Sequence, residues 1–286
     1  MKKRMAVSLF AVMLISALLL AGFSSTKNEN KKARHEQKNT EQPIAVQGAM
    51  DVEISALLKA MKNYKEEQIG NYTFYIGKIA KIPVVVSRTE IGMVNAAAST
   101  TLLIEKYHPK VIINQGTAGG HDPNIHVFDT VIGTEVMNIA SMRSEHLDDG
   151  EGMKPETWKF METTMRENGE KVEHKSFKSD PKLVKAALSV ADKYSHGKVV
   201  EGKVGSADFW NREVDRIQWF HENAGTSVEE MEAAAVAQVA KAFNIPYLSI
   251  RTVSNSEVSG DKIEDLETAG HYGAEYAVEI VKAIGK

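Results

Sequence analysis

Residues 228–255 read VEEMEAAAVAQVAKAFNIPYLSIRTVSN, and their pattern sets the fold class. Glu230 and Glu232 bracket Met231 at the start of a predicted helix. From residue 230 to 243, Ala233, Val236, Ala237, Ala240 and Phe243 recur at helical spacing, which puts one face in the core. Pro246 turns the chain out of the helix, and residues 247–250 form a short apolar run of the kind found in strands covered on both faces. Arg251, Ser254 and Asn255 follow at the polar end of that strand. In an open α/β sheet, ligands gather beyond the carboxyl ends of the strands, so this end is where chemistry is expected.

The same alternation runs through residues 43–286. Residues 44–46 read as a strand, 48–50 as a tight turn, and Ile54, Leu57, Leu58 and Met61 share one face of the helix that follows. Asp51 and Glu53 sit near its start, where carboxylates complement the helix dipole; Glu53 is therefore either a helix-start acid or a functional one. Residues 74–79 and 82–86 predict a hairpin. A helix over 94–107 stops at Pro109, and the strand 111–114 runs into Gln115-Gly116-Thr117-Ala118-Gly119-Gly120. Such a run is a turn or a place where backbone amides approach a ligand, and it has neither the GxxxxGK[ST] nor the GxGxxG spacing of nucleotide-phosphate loops.

Further along, residues 127–136 predict a strand pair around Asp129, residues 141–157 a polar loop, and Asp180-Pro181 the cap and first position of a helix reaching about Tyr194. The strand 199–204 leads into Ser206-Ala207-Asp208-Phe209-Trp210, whose aromatic pair either joins the core or stacks on a flat ligand. A last helix over 269–284 packs Tyr272, Tyr276, Val278 and Ile280. The whole predicts a single α/β domain, with a mixed, mostly parallel sheet wrapped by helices. Right-handed crossovers bring the strand ends after Val46, Asn114, Val204 and Ile250 to one rim.

Composition excludes several classes. The 286 residues carry a formal net charge of -3 and no basic stripe, so no nucleic-acid partner is expected. No cysteine is present, which removes disulfides, thiolate catalysis and sulfur-based zinc sites. The nine histidines lack HExxH spacing, so no metal and no other cofactor is expected. Residues 1–22 have a basic start and an apolar run, the pattern of a secretory signal or a short membrane anchor. Residues 24–42 lack large apolar side chains, and 23–42 read as a disordered polar tether. Leu19-Leu20-Ala21-Gly22 resembles a bacterial lipobox, but Phe23 stands where the lipidated cysteine would be. Export is expected, to the extracellular medium or the outer face of a bacterial membrane, with N-terminal membrane association if the segment stays as an anchor.

Five motifs taken together carry a resemblance: residues 48–53 (GAMDVE), 112–120 (IINQGTAGG), 206–209 (SADF), 228–233 (VEEMEA) and 251–255 (RTVSN). In order and spacing they resemble the 5′-methylthioadenosine/S-adenosylhomocysteine nucleosidases, which belong to the purine nucleoside phosphorylase-like superfamily. The resemblance implies a nucleosidase-like α/β fold, a homodimer, a purine nucleoside as small-molecule partner, and cleavage of the glycosidic bond by water. It implies that Glu53 activates the water, with Arg251 and Thr117 nearby. Glu232 would take the sugar hydroxyls and Met231 would lie against the sugar. Phe209 and Trp210 would meet the base, Ser254 and Asn255 its N7 side, and Met50, Ile91, Ala118, Gly119 and Glu230 would complete the pocket. Two positions depart from the patterns. Asn255 replaces the aspartate that protonates N7, and an amide has no proton to give, only a hydrogen bond. In a related branch of phosphorylases an asparagine serves 6-oxopurines, so the resemblance leaves three outcomes open: slow cleavage, a shifted base preference, or binding without turnover. Asn114 stands where similar phosphorylases carry an arginine, which favours water over phosphate as nucleophile.

Overall fold

A computed structural model describes residues 41–285. The expected export segment 1–22 and nearly all of the expected tether 23–42 lie outside the described residues. In chain order the strands are β1 (Ile44–Gly48), β2 (Tyr64–Ile69), β3 (Tyr72–Ile79), β4 (Ile82–Arg88), β5 (Val111–Gly120), β6 (Thr130–Asn138), β7 (Met142–Arg143), β8 (Lys159–Phe160), β9 (Thr163–Glu167), β10 (Glu170–His174), β11 (Phe177–Lys178), β12 (Val199–Ser206), β13 (Val228–Glu230) and β14 (Tyr247–Ser256). The helices are α1 (Asp51–Met61), α2 (Met93–Tyr107), α3 (Pro181–Leu188), α4 (Val214–Ala224), α5 (Ala233–Ala242) and α6 (Leu266–Ile284).

The main sheet is mixed. Parallel pairings join β1 to β4 and β5, β5 to β14, and β12 to β6 and β13; β14 to β6, β13 to β5, β6 to β11 and the β2-β3-β4 meander are antiparallel. Through these pairings β5, β14, β6, β12 and β13 form a closed circuit, where the sequence alone predicts an open sheet. Apolar side chains fill both faces. One core gathers Ile44, Val46, Leu57, Ile113, Ile250 and Tyr276 under α1 and α6, and the other gathers Ala45, Leu103, Ile112, Val236 and Val253 under α2 and α5.

Several local expectations change. The helix expected from Glu230 begins at Ala233, because residues 228–230 pair with both β12 and β5 as a strand. Phe243 is the C-cap residue and is 40% exposed, so the buried face of α5 ends at Ala240. The strand pair around Asp129 is the single strand β6. Phe128 has a positive φ, and the Asp129 carboxylate accepts from the amides of His126 (3.0 Å) and Lys198 (2.6 Å), which makes a corner. The helix capped by Asp180 ends at Leu188, and a 3-10 turn at Ala191–Lys193 takes the place of its expected last turn. The polar stretch 141–157 contains β7 and a 3-10 turn at Pro155–Thr157.

Candidate active site

A cleft opens where β5, β12, β13 and β14 end beside the start of α1. The space within it, open solvent included, is about 820 Å³. The strands run further than their apolar parts predict. β5 continues through the glycine run to Gly120, and β14 through Arg251 to Ser256, so Thr117, Ala118, Gly119, Ser254 and Asn255 line the cleft from within strands rather than from loops beyond them.

Glu53, in the first turn of α1, is 2% exposed and its carboxylate is held from two sides. Oε2 accepts from the amides of Ala49 (2.7 Å) and Met50 (3.1 Å), and Oε1 accepts from the amide (2.8 Å) and hydroxyl (3.2 Å) of Thr117. Burial pushes its pKa up, while the Thr117 amide, the Arg251 charge and the Met50 and Ala49 amides pull against that rise. A glycine is required at 116: a Cβ there would lie 2.8 Å from Glu53 Oε1 and collide with Arg251 Nη1.

Arg251 lies beneath the cleft floor, 1% exposed. Its Nη2 is 2.6 Å from Glu230 Oε2 and also donates to Asn114 Oδ1. Glu230 is equally committed. Its carboxylate accepts from the amides of Glu232 (2.9 Å) and Ala233 (2.9 Å) and from the Ser206 hydroxyl, so it satisfies the first amides of α5 and anchors them to β12. These contacts make Arg251 and Glu230 the internal scaffold of the site, with Glu230 also touching the cleft.

Glu232, the N-cap residue of α5, faces the cleft beside Met231, and its Oε1 accepts from the Gly92 amide at 2.9 Å. Burial, then the neighbouring Glu230 charge, push its pKa up to about 8 against the pull of Arg251. Asp208 fixes the adjoining loop, accepting from the Met93 amide at 2.8 Å. On the other side, Asn255 Oδ1 accepts from the Ser254 hydroxyl at 2.9 Å. Phe209 and Trp210 are 41% and 55% exposed and line the cleft instead of joining the core; the Arg216 guanidinium lies 4.5 Å from the Phe209 ring centre. Met50 and Ile91 complete the rim.

All the residues singled out from the sequence thus line the cleft except Arg251, which supports it from below. Sequence reasoning missed Glu229, His121 and Asn211, which also line it. Glu229 was legible as a third acid in the 228–233 motif, but its direction depends on β13 pairing with β5.

Comparison with known proteins places these features. The family model of the Phosphorylase superfamily matches residues 43–284. The chain is 33% identical over 251 residues to the 5′-methylthioadenosine/S-adenosylhomocysteine nucleosidase of Bacillus licheniformis, covering 84% of this chain and 99% of that one. Among solved structures, the nucleosidase of the same name from Neisseria meningitidis, in complex with methylthio-immucillin-A, matches with a TM-score of 0.68 and 30% identity, covering 85% of this chain and 99% of that one. The nucleosidase from Colwellia psychrerythraea in complex with adenine matches with a TM-score of 0.68 and 25% identity, covering 85% and 96%.

Proposed function

Because the chain belongs to the Phosphorylase superfamily and, within it, to the 5′-methylthioadenosine/S-adenosylhomocysteine nucleosidases, we propose that it hydrolyses the N-glycosidic bond of purine nucleosides of that kind, releasing the base. The observation that carries this reading is that Glu53, Glu232 and Asn255, from three separate elements, line one cleft. Cleavage passes through a sugar with oxocarbenium character, so a site needs a base for water, a grip on the sugar hydroxyls and a donor for the departing base. Glu53 takes a proton from the water that attacks the anomeric carbon. Its raised pKa suits a base working nearer neutrality than an ordinary carboxylate. Glu232 holds the ribose hydroxyls, and the Asn255 amide donates to the base as the bond breaks, leaving solvent to supply the proton. Among the described residues no lysine or arginine lines the cleft, and Arg251 is engaged by Glu230 and Asn114, which supports water rather than phosphate as nucleophile.

The test is to incubate the purified protein with methylthioadenosine, S-adenosylhomocysteine, adenosine and inosine, with and without phosphate. Phosphate-independent release of base is expected, and no base from any of the four would sink the reading. Asn255 favours a second reading, a surface protein that binds purine nucleosides with little turnover; calorimetric binding without product would support it.

We also propose that the protein acts as an exported homodimer. The apolar rim formed by Ile91, Phe209 and Trp210 is exposed beside the cleft, which supports a second copy covering it. A monomer mass by light scattering, or recovery of the native protein only from the cytosolic fraction, would count against this.

A further inference from the structure

Glu90, in the turn between β4 and α2, has a φ of 64°, in the left-handed region that residues other than glycine rarely occupy. Its neighbours in the turn are all engaged. Thr89, fully buried, donates its amide to the Gly48 carbonyl at 2.9 Å and its hydroxyl to the Glu90 carbonyl at 3.0 Å. The Ile91 carbonyl accepts from Asn95 Nδ2 at 2.8 Å. The Gly92 amide donates to Glu232 Oε1, and among the described residues it is the one hydrogen-bond donor on that carboxylate. Since φ and ψ are the only soft torsions of the chain, a return of Glu90 to negative φ swings the Gly92 amide away from Glu232.

The Glu90 side chain is tied down by Arg88, the last residue of β4. Arg88 Nε donates to Glu90 Oε1 at 2.7 Å, and Nη1 donates to Asp51 Oδ1 at 2.7 Å. Asp51 belongs to the first turn of α1, two residues before Glu53. The guanidinium therefore fastens residue 90 to a helix start that the four bonds on Glu53 already fix. A lone exposed ion pair contributes little, but Arg88 is partly buried and serves two carboxylates at once through neighbouring donors of its fork.

We propose that Arg88 is a positioning residue: by bonding Asp51 and Glu90 together it holds residue 90 left-handed and so aims the Gly92 amide at Glu232. The inference rests on the nucleosidase reading for what Glu232 does, which is to grip the ribose hydroxyls. Loss of the tether frees the Glu232 carboxylate from its backbone donor and loosens that grip. A ligand with a ribose feels the change, and a bare base does not.

Calorimetry of the full chain with formycin A and with adenine tests this. Formycin A carries its ribose on a carbon–carbon bond that water does not cleave, and adenine carries none. Arg88→Met is expected to bind formycin A about tenfold more weakly than the parent, with adenine within about twofold. Adding Glu90→Gly should bring formycin A back to within about threefold, because glycine takes a positive φ without a tether. With Arg88 left in place, Glu90→Ala, which cuts the tether but keeps the Cβ, should lose what Arg88→Met loses, and Glu90→Gly should match the parent; this pair decides the matter if Arg88→Met does not fold. Unchanged formycin A binding in Arg88→Met, no recovery in the double variant, or equal losses in the alanine and glycine variants overturns the proposal. So does an equal loss for both ligands, which would make Arg88 a support of the whole cleft. Base release from methylthioadenosine is followed in parallel. A parent that binds formycin A and releases no base sinks the hydrolytic reading and leaves this one to the affinities. A parent that releases base while Arg88→Met keeps its formycin A affinity does the reverse.

Discussion

Replacing Asn255 by aspartate exchanges an amide for an acid of nearly the same shape. Asn255 Oδ1 accepts from the Ser254 hydroxyl at 2.9 Å, and a carboxylate oxygen accepts the same bond, so the side chain keeps its place. Its second oxygen then occupies the position of Nδ2, facing the departing base, and when protonated it transfers a proton as the glycosidic bond breaks. A positioned general acid contributes about a hundred- to ten-thousandfold, or about 3 to 5 kcal/mol off the barrier. Base release from methylthioadenosine, measured as kcat and KM separately, should show kcat rising at least about a hundredfold with KM within about threefold, because the new proton donor acts in the transition state. The variant should also acquire an alkaline limb in its pH profile that the parent lacks, since the new acid works only while protonated. An unchanged kcat, or an improvement confined to KM, refutes the reasoning.

Three further perturbations test the supports of the cleft. Arg251→Met leaves the Glu230 carboxylate buried without its cation and should cost about 3–5 kcal/mol in urea unfolding, with part recovered by adding Glu230→Gln. Gly116→Ala drives a methyl group between Glu53 and Arg251; a loss of about 1–3 kcal/mol and a fall in kcat of at least about tenfold are expected, and normal turnover would contradict the close approach described. Because the pKa of Glu232 rises from 4.5 to about 8 on folding, the stability it contributes is full below about pH 4.5 and is lost as pH climbs to about 8. Glu232→Gln should therefore flatten the fall in melting temperature across that window, and parallel curves for the two proteins would show that Glu232 does not carry it.

What the sequence disclosed followed apolar periodicity. β1, β4, α2 and the first half of β14 were legible because their side chains are apolar and buried on schedule. The strands outran prediction where polar residues are buried: Arg251 continues β14 with its Nη2 partnered by Glu230 and Asn114, which is a tertiary fact no local pattern contains. Two omissions had signals. Asn168-Gly169, both with positive φ, join β9 to β10 and form the dipeptide most favoured in two-residue hairpins. α4 shows Ile217, Phe220 and Ala224 on one buried face and Gly225 as its left-handed cap. The candidate residues were found through motif resemblance, whereas Glu229 and His121 came into view only when β13 was seen to run antiparallel to β5.

The four bonds on Glu53 bear on which side chains the position tolerates. One oxygen is tied to the 49–50 turn and the other to Thr117, two segments more than sixty residues apart in the chain. An acid shorter by one methylene would reach one anchor and abandon the other. A glutamine of equal length would turn N–H against N–H at one of them. The length and the charge of this side chain are therefore set by folding before any nucleoside arrives, and substitutions that spare the fold there will be rare even where catalysis is not selected.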